Sequence, residues 1–156
     1  MQKGFLLINN PKNWTSFDAV GYLRSKIRPQ KTPENPKGKL KIGHAGTLDP
    51  FATGLLIVAI GRQFTKKIDE FKSLPKTYEA LIKLGEISDT FDSDGKITPY
   101  QGKDTLIFPN KKQIKSALKF FQGPQEQIPP MYSAKKINGK RLYELAREGQ
   151  TIERKA

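Results

Sequence analysis

One short segment constrains the fold of this chain more than any other. Residues 43–54 hold three glycines and one proline, and they lead directly into the apolar run Leu55–Ile60. Glycines let a backbone turn tightly and let a ligand approach it closely, and a continuous run of branched apolar residues is typical of a central strand. The sequence therefore predicts a tightly shaped loop that opens onto a central strand. The loop is not a phosphate-binding P-loop, because no Gly-Lys-Ser/Thr sequence follows it.

The N-terminal region predicts a strand followed by an amphipathic helix. The apolar run Phe5–Ile8 is predicted to form a buried strand. Thr15 or Ser16 can cap a helix that must end before Pro29. Apolar side chains recur in this helix at helical spacing and predict one buried stripe, made of Phe17, Val20, Leu23 and Ile27.

The second half of the chain predicts further strands and a capped helix. Alternating apolar residues predict a strand over Thr77–Gly85. Asn110 and Gln113 form a candidate capping box. A strand is predicted over Tyr132–Ile137, with Asn138-Gly139 as a tight turn. The capped helix is expected to end at Gly123 and to bury four side chains, those of Ile114, Ala117, Leu118 and Phe121.

A last short helix is expected over Leu142–Glu148, ended by Gly149. Strands and helices are therefore mixed without strict alternation, and the sequence has no internal repeat. This order predicts an α+β fold, a mixed and mostly antiparallel sheet with flanking helices.

The charge of the chain is strongly positive and uneven. Lys and Arg number 28 against 15 Asp and Glu, which gives a net charge of +13. Residues 1–78 carry 14 of the basic and 5 of the acidic side chains, and seven basic residues fall between Arg24 and Lys41. Such a surplus attracts polyanions, because each neutralised phosphate releases counterions. A solvated loop would have the same composition, so the cluster in residues 28–41 has no assigned function.

Composition excludes several classes of protein. The chain has no Cys and one His, which excludes a disulfide framework, an iron–sulfur site and a site built from several histidines. No stretch approaches the roughly 18 apolar residues of a transmembrane helix, and the apolar run near the N-terminus is too short for a signal peptide. The cytoplasm is the expected compartment, and no membrane partner is expected.

Asp49 is the candidate for chemistry in the glycine-rich loop. Pro50 has a fixed φ and no N–H, and it biases Asp49 toward extended backbone. A carboxylate held in this way can serve as a nucleophile or a base. Forming a turn is the commoner role for Asp before Pro, and the local sequence leaves both roles open.

A family resemblance makes the segment more specific. The sequence HAGTLDPFATG, residues 44–54, resembles the catalytic motif of the TruB family of pseudouridine synthases. Other segments resemble further motifs of that family, in the same order along the chain. They are Asn10–Ser16, Lys76–Ala80, Gly85–Gly95, Ile128–Lys136 and Gly139–Glu144.

The resemblance implies a function in RNA modification. A uridine in the T-arm of tRNA, at position 55, would be isomerised to pseudouridine after being flipped out of the folded RNA, with no cofactor and no metal. Asp49 would be the essential carboxylate, and Tyr78 would stack on the flipped base. His44, Gly46 and Thr47 would contact the RNA substrate. The protein is expected to act as a monomer.

Asp92 corresponds to an acidic loop position of the family, and a plain turn-forming role is an equal alternative. The surrounding loop, residues 88–95, superficially resembles a calcium site. With Gly95 as the EF-hand glycine, Thr90 would be the first ligand and Gln101 the last, so a calcium site is rejected.

The chain also departs from the family pattern. Asn10 stands where Lys is usual, which removes a cation. Asn13 stands where Gly is usual, and Asn, like Gly, can adopt a left-handed backbone. The family's later Gly-Thr-Tyr-x-Arg motif, whose Arg pairs with the catalytic Asp, has no counterpart here. Residues 1–156 are therefore expected to be the N-terminal part of a catalytic domain, without the family's C-terminal RNA-binding domain. The alternatives are a catalytically incomplete RNA-binding or RNA-folding module on the same scaffold, a small basic ribosome-associated protein, and a guide-RNA-dependent enzyme.

Overall fold

The computed structural model describes residues 3–27, 31, 38–102 and 107–155. The chain forms two compact units, residues 1–80 and residues 81–156. Most of the predicted basic loop, residues 28–41, lies outside the described residues.

A three-stranded antiparallel sheet organises the first unit. Its strands are β1 (Gly4–Asn10), β2 (Ile42–His44) and β3 (Gly54–Ile60), in the order β1-β3-β2. In this register, Leu7 lies opposite Ile57 and His44 lies opposite Val58. The prediction of a central strand directly after the glycine-rich loop is confirmed.

Helix α1 (Ser16–Lys26) packs on this sheet and completes the core. Thr15 caps the helix, and its hydroxyl and the carboxylate of Asp18 form a reciprocal capping box, as the sequence allowed. Leu23 and Ile27 pack against the buried core, but Phe17 is 67% exposed, so its place in the buried stripe was predicted wrongly. The largest cluster of packed, buried side chains in this unit is made of Ala19, Val20, Ile42, Leu56, Val58 and Ile60, and Ala59 is also buried.

Strand β1 is less buried than the sequence suggested. Leu7 is 66% exposed, and the ring of Phe5 is covered only in part, by edge contacts with Phe64 and Phe71. These two rings belong to the short helices α2 (Arg62–Thr65) and α3 (Ile68–Lys72). The strand was therefore predicted correctly and its burial was not, because β3 is its one hydrogen-bonded neighbour among the described residues.

The second unit contains two hairpins and two helices. The strands are β4 (Glu86–Ser88) paired with β5 (Ile97–Pro99), and β6 (Lys136–Ile137) paired with β7 (Lys140–Arg141). Asn138 and Gly139 have φ of 50° and 82°, the left-handed values of a tight hairpin turn, so this turn is confirmed.

Both helices of this unit begin and end close to the predicted residues. Helix α4 (Lys111–Leu118) has the predicted capping box of Asn110 and Gln113 and continues into a 3₁₀ turn at Lys119–Phe121. Helix α5 (Leu142–Arg147) lies within its predicted range, and Leu142 and Leu145 are buried.

Three predictions for residues 77–137 are wrong. Residues 77–83 form neither helix nor strand. The strand predicted over Tyr132–Ile137 is limited to its last two residues. The side chains predicted to be inward on α4 and the turn after it are exposed, and they are Ile114, Ala117, Leu118 and Phe121. In each case an apolar spacing is present, but the described part of the chain supplies no layer to cover it.

The α+β class is confirmed: helices accompany small antiparallel sheets, which is consistent with a fragment of the pseudouridine synthase fold. Within the described ranges, no helix has the length and apolar character needed to cross a membrane.

Candidate functional site

The loop between β2 and β3 carries Asp49 on a tightly constrained backbone. Gly46 and Gly54 adopt φ of 102° and 136°, a region that favours glycine. The N–H of Ala52 donates to the carbonyl of Asp49 over 2.9 Å, which closes a turn around Pro50. These contacts fix the backbone on which the carboxylate is mounted.

Two further bonds attach the loop to the first residue of α1 and to the turn that precedes this helix. The N–H of Leu48 donates to the hydroxyl of the buried Ser16 over 2.9 Å, and the N–H of Asn13 donates to the carbonyl of Pro50 over 2.7 Å. The residues on both sides of Asp49 are therefore held by one segment that lies more than 30 residues earlier in the chain.

The Asp49 carboxylate itself is left open. The residue is exposed, and within the described ranges no donor or cation contacts its side chain. A carboxylate on a fixed loop with an open approach can act as a nucleophile or a base toward a docked ligand.

His44 ends β2 and turns its ring back onto the loop. Its Nδ1 hydrogen-bonds the carbonyl of Gly46. Because a carbonyl can only accept, Nδ1 carries the hydrogen, and Nε2 is left as the ring nitrogen for another partner. The edge of the ring also contacts Phe17, with centroids 5.8 Å apart. Thr47 follows in the same loop and is exposed.

Tyr78 lies in the first unit, after α3, in a segment without regular structure. Its side chain is 76% exposed, and the strand predicted over Thr77–Gly85 does not form around it. In the described part of the chain no aromatic ring contacts it.

Asp92 lies in the second unit and stabilises a local turn. Its Oδ1 accepts hydrogen bonds from the hydroxyl of Thr90 over 2.6 Å and from the N–H of Asp94 over 3.0 Å. This is the geometry expected of a turn-forming acid.

Three residues near the loop were not assigned their observed roles by the sequence. Ser16 was considered only as a helix cap, and Phe17 only as a core residue. Asn10, noted as a lost cation, is fully buried, and its amide donates to the carbonyl of Trp14 over 3.0 Å. The left-handed backbone suggested for Asn13 is confirmed by its φ of 66°.

Known proteins similar to this chain agree on one family. A family model described as TruB family pseudouridylate synthase (N terminal domain) matches residues 34–156. Proteins named tRNA pseudouridine synthase B are similar over nearly the whole chain. One, from Protochlamydia amoebophila, is 46% identical over 97% of this chain and 53% of its own length. Another, from Chlamydia abortus, is 46% identical over 99% of this chain and 60% of its own length. A third, from Parabacteroides distasonis, is 44% identical over 97% of this chain and 61% of its own length.

The chain thus spans between about half and three fifths of the length of these relatives. The match covers the loop of Asp49 and the strand that follows it. The chain belongs to the TruB family of pseudouridine synthases, and it matches the N-terminal domain of that family.

Proposed function

We propose that this protein isomerises a uridine of tRNA to pseudouridine, with Asp49 as the essential carboxylate. The observation that carries the proposal is the double attachment of the Asp49 loop. Leu48 is bonded to the first residue of α1 and Pro50 to the turn before that helix, while the carboxylate of Asp49 stays open. A fixed group with a free approach is the arrangement that catalysis on a docked substrate requires.

The reaction needs no group from outside the RNA and the protein. The N1–C1′ bond of the uridine breaks, the base turns, and a C5–C1′ bond forms. C5 loses its proton and N1 gains one, so the atoms balance. A carboxylate can add to the sugar or the base, or it can accept a proton from the ribose, and both routes use its ionised form.

The other proposed residues bind the substrate. Flipping a base out of a folded RNA arm costs about a few kcal/mol, and stacking on an aromatic ring offsets about 1–3 kcal/mol of that. The exposed ring of Tyr78 suits this stacking. His44 offers Nε2, and Gly46 and Thr47 offer the backbone beside it. Asp92 is proposed as a further substrate-binding residue, in addition to its turn.

The finer assignments complete the proposal. The target is the uridine at position 55 in the T-arm, and the protein acts as a monomer in the cytoplasm. Residues 1–156 are proposed as the N-terminal part of the catalytic domain. The net charge of +13 favours binding to the phosphates of the RNA.

Tritium release tests the proposal. The parent protein is mixed with tRNA that carries [5-³H]uridine, and the tritium released from C5 is counted. We expect Asp49→Asn to abolish release while tRNA affinity, measured by filter binding, is retained. Asp69→Asn, a control at an exposed ion pair with Lys72, should release tritium at the parent rate. Release from Asp49→Asn at the parent rate would refute the role of Asp49, and release from tRNA with cytidine at position 55 would refute the target.

A second function is an RNA-binding module without catalysis. The Asp49 carboxylate, which no donor or cation contacts within the described ranges, favours it. This function predicts salt-sensitive tRNA binding by the parent protein with no tritium release. Release of tritium by the parent excludes it.

A further inference from the structure

An exposed aromatic ring, that of Phe17, stands beside the Asp49 loop. Its helical spacing predicted burial with Val20, yet Phe17 is 67% exposed and Val20 is 1% exposed. The ring meets the edge of His44 at a centroid distance of 5.8 Å and an interplanar angle of 81°. The ring is therefore anchored at one side and open over most of its surface.

The position of this ring is fixed relative to the Asp49 loop. Ser16, the residue before Phe17, accepts the hydrogen bond from Leu48. Thr15 and Asp18 hold the same helical turn through their capping box. His44, which contacts the ring, is bonded to Gly46 in the loop. The ring is thus attached to the loop through the helix and through the imidazole.

Exposed cations lie in the segments that precede Phe17 and His44 in the chain. Lys12 lies in the turn before α1, and Lys41 directly precedes β2. An open aromatic ring on a protein with a surplus of cations is a combination that suits unpaired nucleic acid, because the bases stack while the cations meet the phosphates.

We propose that Phe17 is a stacking platform for an unpaired nucleobase of the RNA substrate, at the His44 side of the Asp49 loop. This proposal rests on the proposed function and adds a substrate-binding residue to it. Stacking on an aromatic side chain contributes about 1–3 kcal/mol per base. Removal of the ring should therefore weaken RNA binding by about 5- to 150-fold.

The experiment compares ring-removing and ring-keeping variants at this position. Phe17→Ala and Phe17→Leu remove the ring, and Phe17→Tyr keeps it. Tyr22→Leu is the matched control, because Tyr22 is a half-exposed aromatic on α1 whose ring contacts Trp14. The tRNA dissociation constant is measured by filter binding, KM and kcat by tritium release, and folding by circular dichroism.

We expect Phe17→Ala and Phe17→Leu to raise the dissociation constant and KM, with a smaller change in Phe17→Tyr, and we expect Tyr22→Leu to match the parent. If Phe17→Leu binds tRNA as tightly as the parent, the ring does not stack on a base and the proposal is wrong. If Phe17→Ala binds tRNA more weakly than the parent, but neither the parent nor any variant releases tritium, the stacking platform stands and the isomerase proposal fails. If Phe17→Ala and Phe17→Leu both match the parent while Asp49→Asn is inactive, the isomerase stands and the platform fails.

Discussion

The hydroxyl of Ser16 accepts a 2.9 Å hydrogen bond from the backbone N–H of Leu48, one residue before Asp49. Ser16 is 1% exposed, so this bond is shielded from water. It joins the first turn of α1 to the loop that carries the proposed catalytic carboxylate. The first prediction concerns a variant that lacks this hydroxyl.

Ser16→Ala should lower the free energy of unfolding by about 1–3 kcal/mol, because the N–H of Leu48 loses its partner. It should also lower kcat by up to about 100-fold, because a small displacement of a catalytic group is costly. Urea unfolding and tritium release measure the two effects. Ser25→Ala, on the same helix, removes only an exposed bond to the carbonyl of Tyr22 and should leave both values near the parent's. Equal behaviour of the two variants would show that Ser16 does not position the loop.

Features encoded within a few residues were predictable from the sequence. The helix cap at Thr15 depends on the residues beside it, the capping box of Asn110 with Gln113 on a spacing of three, and the Asn138-Gly139 turn on two adjacent residues. The motif also predicts that His44 and Asp49 lie near each other, and the structure puts His44 at the end of β2 and Asp49 in the loop that follows.

Contacts between distant segments were not predictable. The Ser16–Leu48 bond joins residues 32 positions apart, and no periodic pattern encodes it. Phe17 shares a helical face with Val20, but its ring contacts His44 and leaves most of its surface to solvent. The alternation over residues 77–85 failed because a pattern gives apolar spacing and not the partner strand that would pair with it.

The central strand offers a second prediction, since neighbouring leucines occupy opposite faces. Leu56 is 1% exposed and Leu55 is 62% exposed. Leu56→Ala should lower the free energy of unfolding by about 2–5 kcal/mol, because it removes packed methyl groups and leaves a cavity. Leu55→Ala should change it by no more than about 0.5 kcal/mol. Urea denaturation of both variants tests this, and a comparable loss in Leu55→Ala would mean that the outer face of β3 is covered.

The capping box predicts a dependence of stability on pH. Hydrogen bonds from the Thr15 hydroxyl, and then from its backbone N–H, lower the pKa of Asp18 in the folded state. The ionised form is therefore favoured by folding. Its stabilising effect is present above the unfolded pKa of about 3.9. The effect is lost as the pH falls through the lower pKa of the folded state.

Asp18→Asn should accordingly melt at a lower temperature than the parent at pH 7, and the difference should shrink as the pH falls below about 4. Thermal melts followed by circular dichroism at pH 7, 4 and 3 measure it. Thr15→Val removes the hydroxyl donor and keeps the size of the side chain. On the Thr15→Val background, the pH dependence of the Asp18→Asn effect should diminish. A difference in melting temperature that is constant with pH would contradict this account.

The last prediction concerns the amide of Asn10, which is fully buried at the end of β1. Its Nδ2 donates to the carbonyl of Trp14 over 3.0 Å and lies 3.4 Å from the carbonyl of Pro11, while Oδ1 has no partner among the described residues. Asn10→Ala should lower the free energy of unfolding by about 1–3 kcal/mol, because it removes a fully buried amide and its hydrogen bond to the carbonyl of Trp14. Asn9→Ala, at the exposed neighbouring position, should have little effect.

Asn10→Asp separates the hydrogen bond from the shape of the side chain. Aspartate is nearly isosteric, but it presents an oxygen where the amide presents a donor, so two backbone carbonyls would face a buried acid. Burial of an unpaired charge costs more than loss of one hydrogen bond. We therefore expect stability at pH 7 to decrease from the parent to Asn10→Ala and further to Asn10→Asp. If Asn10→Asp is as stable as the parent in urea, Nδ2 does not make the bond to Trp14, and the amide has the opposite orientation.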